Sequence, residues 1–372
     1  MLREIVTPRK DAGAKLEAVG LSFHSWDNYW CEDVCYRFTA AQVEELEAAA
    51  EALHAMCLEA LAHVIKTGRL GELGIPVRYQ DAIAASFRAE DFSLYGRFDL
   101  AYDGVNPPRM FEYNADTPTS LLESAVAQWT WMEEVFPGSD QFNSLHDRLV
   151  EQWKLAPGDG PIHLASLGGN EEDWVCTMYL LDTVLQAGRE ARHLHIEDIG
   201  WDSDTRQFVD LDNRPIETLF KLYPWEWMMR EAFGPHVLQS QTRMIEPLWK
   251  SVLSCKGLLP ILWELFPDHP NLLPAYFTPG KLASYARKPL YSREGANVQL
   301  VREGQILASD DGPYGAEGYV YQALHMLPEF GGRYPVIGAW IVGKASAGIC
   351  VREDASPITT NMSRFIPHYF VE

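Results

Sequence analysis

Residues 161–196, "PIHLASLGGNEEDWVCTMYLLDTVLQAGREARHLHI", constrain the fold more than any other stretch. An apolar run over 162–167 is followed by a Gly-containing loop, a helical period over 171–187 and a second apolar run over 192–196. That order is strand, helix, strand, and two strands joined by a helical crossover lie parallel with a right-handed connection. The chain is therefore of the α/β class, with helices and strands mixed along its length. "TLFKLYPWEWMMREAF" adds a buried strand running into a helix, and residues 39–68 form a long helix with Thr39 as N-cap and Gly68 as stop. "RFDLAYDGVNPPRMFEYNADTPTS" reads as strand, turn, strand and loop. A helix from Leu121 to Glu134 should follow, with Ser120 and Glu123 at the spacing of a capping box. After residue 245 a helical section punctuated by Pro gives way to short strands in "YARKPLYS", "ANVQLV", "GYVYQALH", "VIGAWIVG" and "SAGICVRE". Residues 1–35 read as irregular and aromatic-rich. With no repeat and no long linker, the chain is expected to form one body of interleaved subdomains.

Length and charge exclude some partners. The chain has 372 residues, 47% hydrophobic and 22% charged, enough for two or three compact units around a sizeable core. Its net charge of −21 repels phosphate backbones and anionic membranes, which argues against nucleic acid and membrane partners. The same field attracts cations such as Mg²⁺ and polyamines, although solubility alone also accounts for it. No apolar run of 18 residues is present, and "MLREIVTPRKDAG" lacks the apolar core of a signal peptide. The six cysteines (31, 35, 57, 176, 255 and 350) are scattered, which fits reduced thiols and a cytoplasmic location. Cys31 and Cys35 lack a second pair to complete a metal site and read as neighbours on a helix face.

Three constellations carry chemistry. In the predicted hairpin, alternation puts Arg97 and Asp99 on one face and Glu112 and Asn114 on the matching face of the partner strand. One Arg, two carboxylates and an amide form an oxygen-rich set that suits a hard divalent cation, or else a solvated face with an ion pair. The hydroxyls of Thr117, Thr119 and Ser120 then open a helix whose N-terminus can hold an anion. The second constellation is basic: Lys256 in "SCKGLLP", Lys288 in "RKPL", a Gly-containing turn in "YSREGANV" with Arg293 at its tip, and Arg352 closing a later strand. Lysines supply point charges for phosphate, and small residues let backbone N–H groups approach it. No Walker sequence occurs. The third is "GGNEEDW", where Glu171 and Glu172 can receive an ammonium group or simply complement the helix dipole. Asp116 is expected to shape its own turn.

Taken together, "RFDLAYD", "EYNADTPTSLLE", "GSDQFNSLHDRL", "LFKLYPWEWMMRE", "LLPILWELFPDHPNLLPAYF", "KPLYSREGANV" and "SRFIPHYFVE" resemble the glutathionylspermidine synthase family, specifically its synthetase domain in the short branch without an amidase. The resemblance covers nearly the whole chain. It implies an ATP-grasp fold with a Rossmann-like pre-ATP-grasp subdomain. The implied parts are core and metal hairpin over 1–157, the βαβ subdomain over 158–244, a nucleotide lid over 245–300 and the core return over 301–372. It implies ATP and two or more Mg²⁺ ions, with Asp99, Glu112 and Asn114 as protein ligands. Arg97 and Arg352 become catalytic. Lys256, Lys288, Gln322 and the loop Ser292, Arg293, Glu294, Gly295, Ala296 and Asn297 become nucleotide-binding. Thr117, Thr119, Glu171 and Glu172 become substrate-binding, with the paired acids on the amine. Thr117 and Thr119 stand where the family has serines, and Leu222 stands where it has a hydroxyl, so the resemblance implies an acid other than glutathione.

The implied activity is acid–amine ligation through an acyl phosphate, joining a peptide or amino-acid carboxylate to an amine or polyamine, without amidase activity. The alternative on the same fold is a catalytically inactive protein that binds ATP or a polyamine. A dinucleotide oxidoreductase centred on "LASLGGNEED" is disfavoured, because its glycines are not spaced G-x-G-x-x-G.

Overall fold

The computed structural model describes residues 1–360 and 363–372. The architecture is mixed α/β, and three of its sheets enclose one cavity. A central antiparallel sheet has the order Arg364–Ile366, Ala345–Asp354, Tyr334–Val342, Tyr95–Ala101, Arg109–Asn114. A roof sheet, also antiparallel, has the order Ala275–Tyr276, Tyr319–Ala323, Ser284–Pro289, Gln299–Arg302, Gln305–Ser309. The third sheet is parallel, in the order Arg243–Ile245, Thr218–Leu222, Ile162–Ser166, Ala191–His195. Its helix Glu171–Gln186 forms the expected crossover between Ile162–Ser166 and Ala191–His195.

The long helix Ala40–Thr67 forms for the local reasons its sequence gives. Thr39 and Gln42 make a reciprocal capping box, and Gly68 ends it at φ 70°. By length and composition this helix could cross a membrane, but half of its apolar window is buried. Leu46, Ala50, Leu53, Leu61 and Val64 are fully buried in the same hydrophobic cluster as Ile337, Ile341, Ile349 and Val351 of the central sheet. A second cluster joins the central sheet to the parallel one. There Tyr95 stacks on Phe220 and on Trp340 at 6.1 and 6.0 Å between ring centroids.

Two local expectations change. The first 35 residues are not irregular: Leu2–Ile5 pairs with Val34–Thr39, which pairs in turn with His368–Val371 at the other end of the chain. Cys35 therefore lies on a strand and not on a helix face, and all six cysteines are free and buried. Only a partner more than 300 residues away completes that sheet, so no local period could reveal it. The Ser120–Glu123 capping box also does not form. Ser120 takes φ 67°, and the Glu123 carboxylate accepts instead from the Tyr29 hydroxyl at 2.6 Å. Burial pushes that carboxyl up to about 7.

Candidate active site

The site starts from a strand register. Arg97 lies opposite Asn114, and Asp99 opposite Glu112. Their side chains meet as alternation predicts. The Asn114 amide lies 3.1 Å from Glu112 and 3.3 Å from Asp99, and Arg97 Nε donates to Asp99 at 3.0 Å. On the neighbouring strand Gly338 leaves room for Arg97, since a Cβ there would sit 2.8 Å from Arg97 Cδ. Burial works against ionisation of Glu112, yet Lys256 and Lys288 outweigh it and hold the carboxyl at about 2. Glu112 is therefore a permanent anion at neutral pH. Asn114 Nδ2 donates to both carboxylates here, and with its amide oxygen turned to them instead, two carboxylates and an amide oxygen would make a donor set that fits magnesium better than a soft metal. Among the described residues no group of three or more His, Cys, Asp and Glu gathers around a metal-sized point.

The two lysines take different places. Lys288 is on the cavity wall, where its ammonium donates to Gln322 Oε1 at 2.7 Å and to the Phe111 carbonyl at 3.0 Å. Burial pulls its pKa down to about 8, against the attraction of Glu112. Gln322 is fixed in turn by donating to the Met110 carbonyl at 3.0 Å. Lys256 stands behind the wall, paired with Glu112 at 2.9 Å and with the Ser292 carbonyl at 2.9 Å. It acts on the cavity through Glu112 and the loop.

Of the loop 292–297, Arg293, Glu294 and Gly295 line the cavity, whereas Ser292, Ala296 and Asn297 support it from behind. Asn297 Oδ1 accepts from the Tyr314 backbone N–H at 2.8 Å. Gly295 has φ 72°, and a Cβ there would meet the Thr359 carbonyl at 2.6 Å. Arg293 donates to Thr117 Oγ1 at 2.7 Å and to Glu226 at 3.1 Å. Arg352 also faces the cavity and donates to the Thr360 carbonyl at 2.7 Å. Thr119 lines the wall, and its carbonyl accepts from Arg97 at 2.8 Å. Asp116 does not shape its own turn. It is buried, paired with the fully buried Lys221 at 2.7 Å, and accepts from the Trp225 backbone N–H at 2.8 Å. It thereby ties the hairpin to the parallel sheet.

The paired acids stand outside the cavity wall. Glu171 is exposed and accepts from Ser22 at 2.5 Å, and neither it nor Glu172 lines the cavity. Asp173 does. Asn170 caps the helix by accepting from the Asp173 N–H at 3.1 Å, and Asp173 shares the helix face of the buried Cys176, Leu180 and Val184. The Asn-x-x-Asp spacing of a helix start was the signal that could have found it. Burial, with repulsion from Glu172, pushes the Asp173 carboxyl up to about 7. Sequence reasoning also missed the apolar end of the cavity, where Phe111, Val298, Leu300, Met326, Leu327 and Val336 converge. These are ordinary core residues by pattern, and only the meeting of two sheets makes them a slot. The whole cavity measures about 260 Å³.

The sequence model of the family described as glutathionylspermidine synthase preATP-grasp matches residues 3–371. The chain belongs to the glutathionylspermidine synthase family. A relative from Haemophilus influenzae, named "Putative acid--amine ligase", is 43% identical over 384 residues, covering 98% of both chains. The bifunctional glutathionylspermidine synthetase/amidase of Escherichia coli is 29% identical, over 89% of this chain and 58% of that protein. Trypanothione synthetase of Crithidia fasciculata is likewise 29% identical, over 82% of this chain and 52% of its own length. The chain thus spans nearly all of the first relative and little more than half of the other two. A solved glutathione synthetase-like effector from Globodera pallida superposes with a TM-score of 0.56 at 11% identity, over 99% of this chain and 100% of that one. The fold is therefore of the ATP-grasp type, and this glutathionylspermidine synthase family member is a ligase.

Proposed function

We propose that the chain is an ATP- and magnesium-dependent acid–amine ligase that forms an amide through an acyl phosphate. The observation that carries this reading is the register of the hairpin, which sets Asp99, Glu112 and Asn114 beside Arg97 and across from Lys288 in one cavity. The apolar end takes the adenine ring, and Lys288 with Gln322 holds the nucleotide near its phosphates. Asp99, Glu112 and Asn114 would hold the magnesium, which when bound polarises phosphate oxygens as a Lewis acid. Thr117 and Thr119 orient the acid substrate. Its carboxylate oxygen attacks the γ-phosphorus, the bond to the bridging oxygen breaks, and ADP leaves. Arg97 and Arg352 stabilise the charge that develops on the transferring group. Asp173, facing Glu294 and ionisable near neutrality, receives the amine as an ammonium ion and takes a proton from it. The free amine attacks the acyl carbon and expels phosphate. A cytoplasmic enzyme with small-molecule acid and amine substrates is the setting in which these parts work together.

Purified protein supplied with ATP, Mg²⁺, candidate acids and polyamines should release ADP only when an acid and an amine are both present. ADP release that never depends on an amine would sink the ligase reading. Glu112→Gln should lower turnover by about 100-fold or more while leaving the circular dichroism spectrum unchanged. Ordinary activity in that variant would show that the metal set lies elsewhere.

A further inference from the structure

The parallel sheet contains a point where strand order reverses. From Ile162–Ser166 the chain passes to Ala191–His195 on one side and returns to Thr218–Leu222 on the other. At such a point a crevice opens beyond the carboxyl ends of the strands. Ser166 lies opposite Leu222 in the register, so Leu167 and Leu222 stand together at that opening, and both line the cavity. Pro118, Pro224 and Trp227 complete the wall. The wall is held in shape from behind: the Tyr95 hydroxyl donates to the Pro118 carbonyl at 3.2 Å, and Asp116 holds the Trp225 N–H. Arg293, the cation beside this wall, has its two terminal nitrogens engaged by Thr117 and Glu226 and lies over the Trp227 ring at 5.7 Å.

We infer that this crevice is a preformed apolar subsite that selects an acid with one carboxylate and a compact aliphatic or aromatic body. A peptide acid carrying a second carboxylate is disfavoured there. The inference rests on the ligase reading for its choice of the acid as occupant. Its physical basis is desolvation. A second carboxylate placed against Leu167, Leu222, Pro224 and Pro118 loses water and faces the acids Asp173 and Glu294 in the same cavity, whereas a methylene loses nothing by leaving water. Burying each methylene strengthens binding about fourfold. Trp227 adds a flat face for an aromatic ring.

The test is a titration without turnover. The full chain, saturated with Mg²⁺ and a non-hydrolysable ATP analogue, is titrated by calorimetry with straight-chain monocarboxylates of increasing length, with 3-phenylpropionate and with glutathione. Affinity should rise about fourfold per added methylene until the crevice is full. Glutathione should bind at least tenfold more weakly than 3-phenylpropionate, and Leu222→Ser should weaken 3-phenylpropionate about tenfold. The melting temperature of that variant checks its fold, and Leu167→Ser serves as a second variant. A flat series, equal or tighter binding of glutathione, or no binding of any acid overturns the inference. ADP release in parallel assays separates it from the parent reading. Apolar selectivity without amine-dependent turnover refutes ligation and leaves the subsite, whereas turnover that favours glutathione refutes the subsite and leaves ligation.

Discussion

Replacing Asp116 by Ala should be among the most damaging single changes outside the cavity wall. Asp116 and Lys221 are 1% and 0% exposed, and their side chains meet at 2.7 Å. Without the carboxylate, Lys221 keeps the Tyr223 carbonyl at 2.9 Å, the Trp225 ring at 4.4 Å and the weaker pull of Glu226 and Glu246. Breaking a buried pair by removing one partner costs about 3–5 kcal/mol. The alternative is to deprotonate the lysine, and from an ordinary pKa of about 10.4 that costs about 4.6 kcal/mol at pH 7. Both routes give a similar figure, and the Trp225 N–H loses its acceptor as well, so a loss of about 4–6 kcal/mol is expected. The second route fixes the sign of the pH dependence. In the variant the folded state binds the lysine proton less readily than the unfolded state, so its stability rises with pH. The deficit should shrink by up to about 1.4 kcal/mol per unit between neutral pH and about 10. Urea unfolding of Asp116→Ala at several pH values measures both quantities, and the double variant Asp116→Ala with Lys221→Met should recover most of the loss. A loss under about 1 kcal/mol, or one independent of pH, would refute the claim that Lys221 is a buried cation held by Asp116.

Two further outcomes concern the cavity. Because Lys288 sits at about 8 in the free protein, its charge is lost above that pH. Nucleotide affinity should then fall by up to about tenfold per unit, whereas Lys288→Arg should show no break over the same range in a fluorescent-nucleotide titration. Gly295→Ala places a Cβ 2.6 Å from the Thr359 carbonyl in a left-handed conformation, so the loop must move. Turnover should fall about tenfold with global stability changed by no more than about 1–3 kcal/mol, and unchanged turnover would show that the loop need not hold this shape.

The division between cavity and support explains why substitution effects here should fall into two kinds. Lys256 and Asp116 touch no part of the cavity surface, yet each anchors something that does. Lys256 holds Glu112 and the Ser292 carbonyl. Asp116 fixes Trp225 next to Glu226 and Trp227. Losses at such positions should appear as stability and substrate affinity together, whereas losses at Arg97 or Arg352 should appear mainly in the chemical step.

The sequence alone determined what depends on near neighbours. Alternation set Arg97 and Asp99 on one face and predicted their meeting with Glu112 and Asn114, because a short turn leaves the two strands little choice of partner. The caps at Thr39 and Gly68 fixed the long helix, and the strand–helix–strand period fixed a parallel sheet. Tertiary structure decided what depends on distant ones. The strand Val34–Thr39 gains its second partner only from residues at the far end of the chain. Asp173 and not Glu171 faces the cavity, because Asp173 shares the helix face of Cys176, Leu180 and Val184, which packs into the core with the parallel strands. Asp116 meets Lys221 across 105 residues of chain. Burial then changes what the placed groups are, lifting Asp173 and lowering Lys288 toward neutrality. Local periodicity carries the direction of a side chain, but whether it ends in water or beside a charge depends on which surfaces pack together.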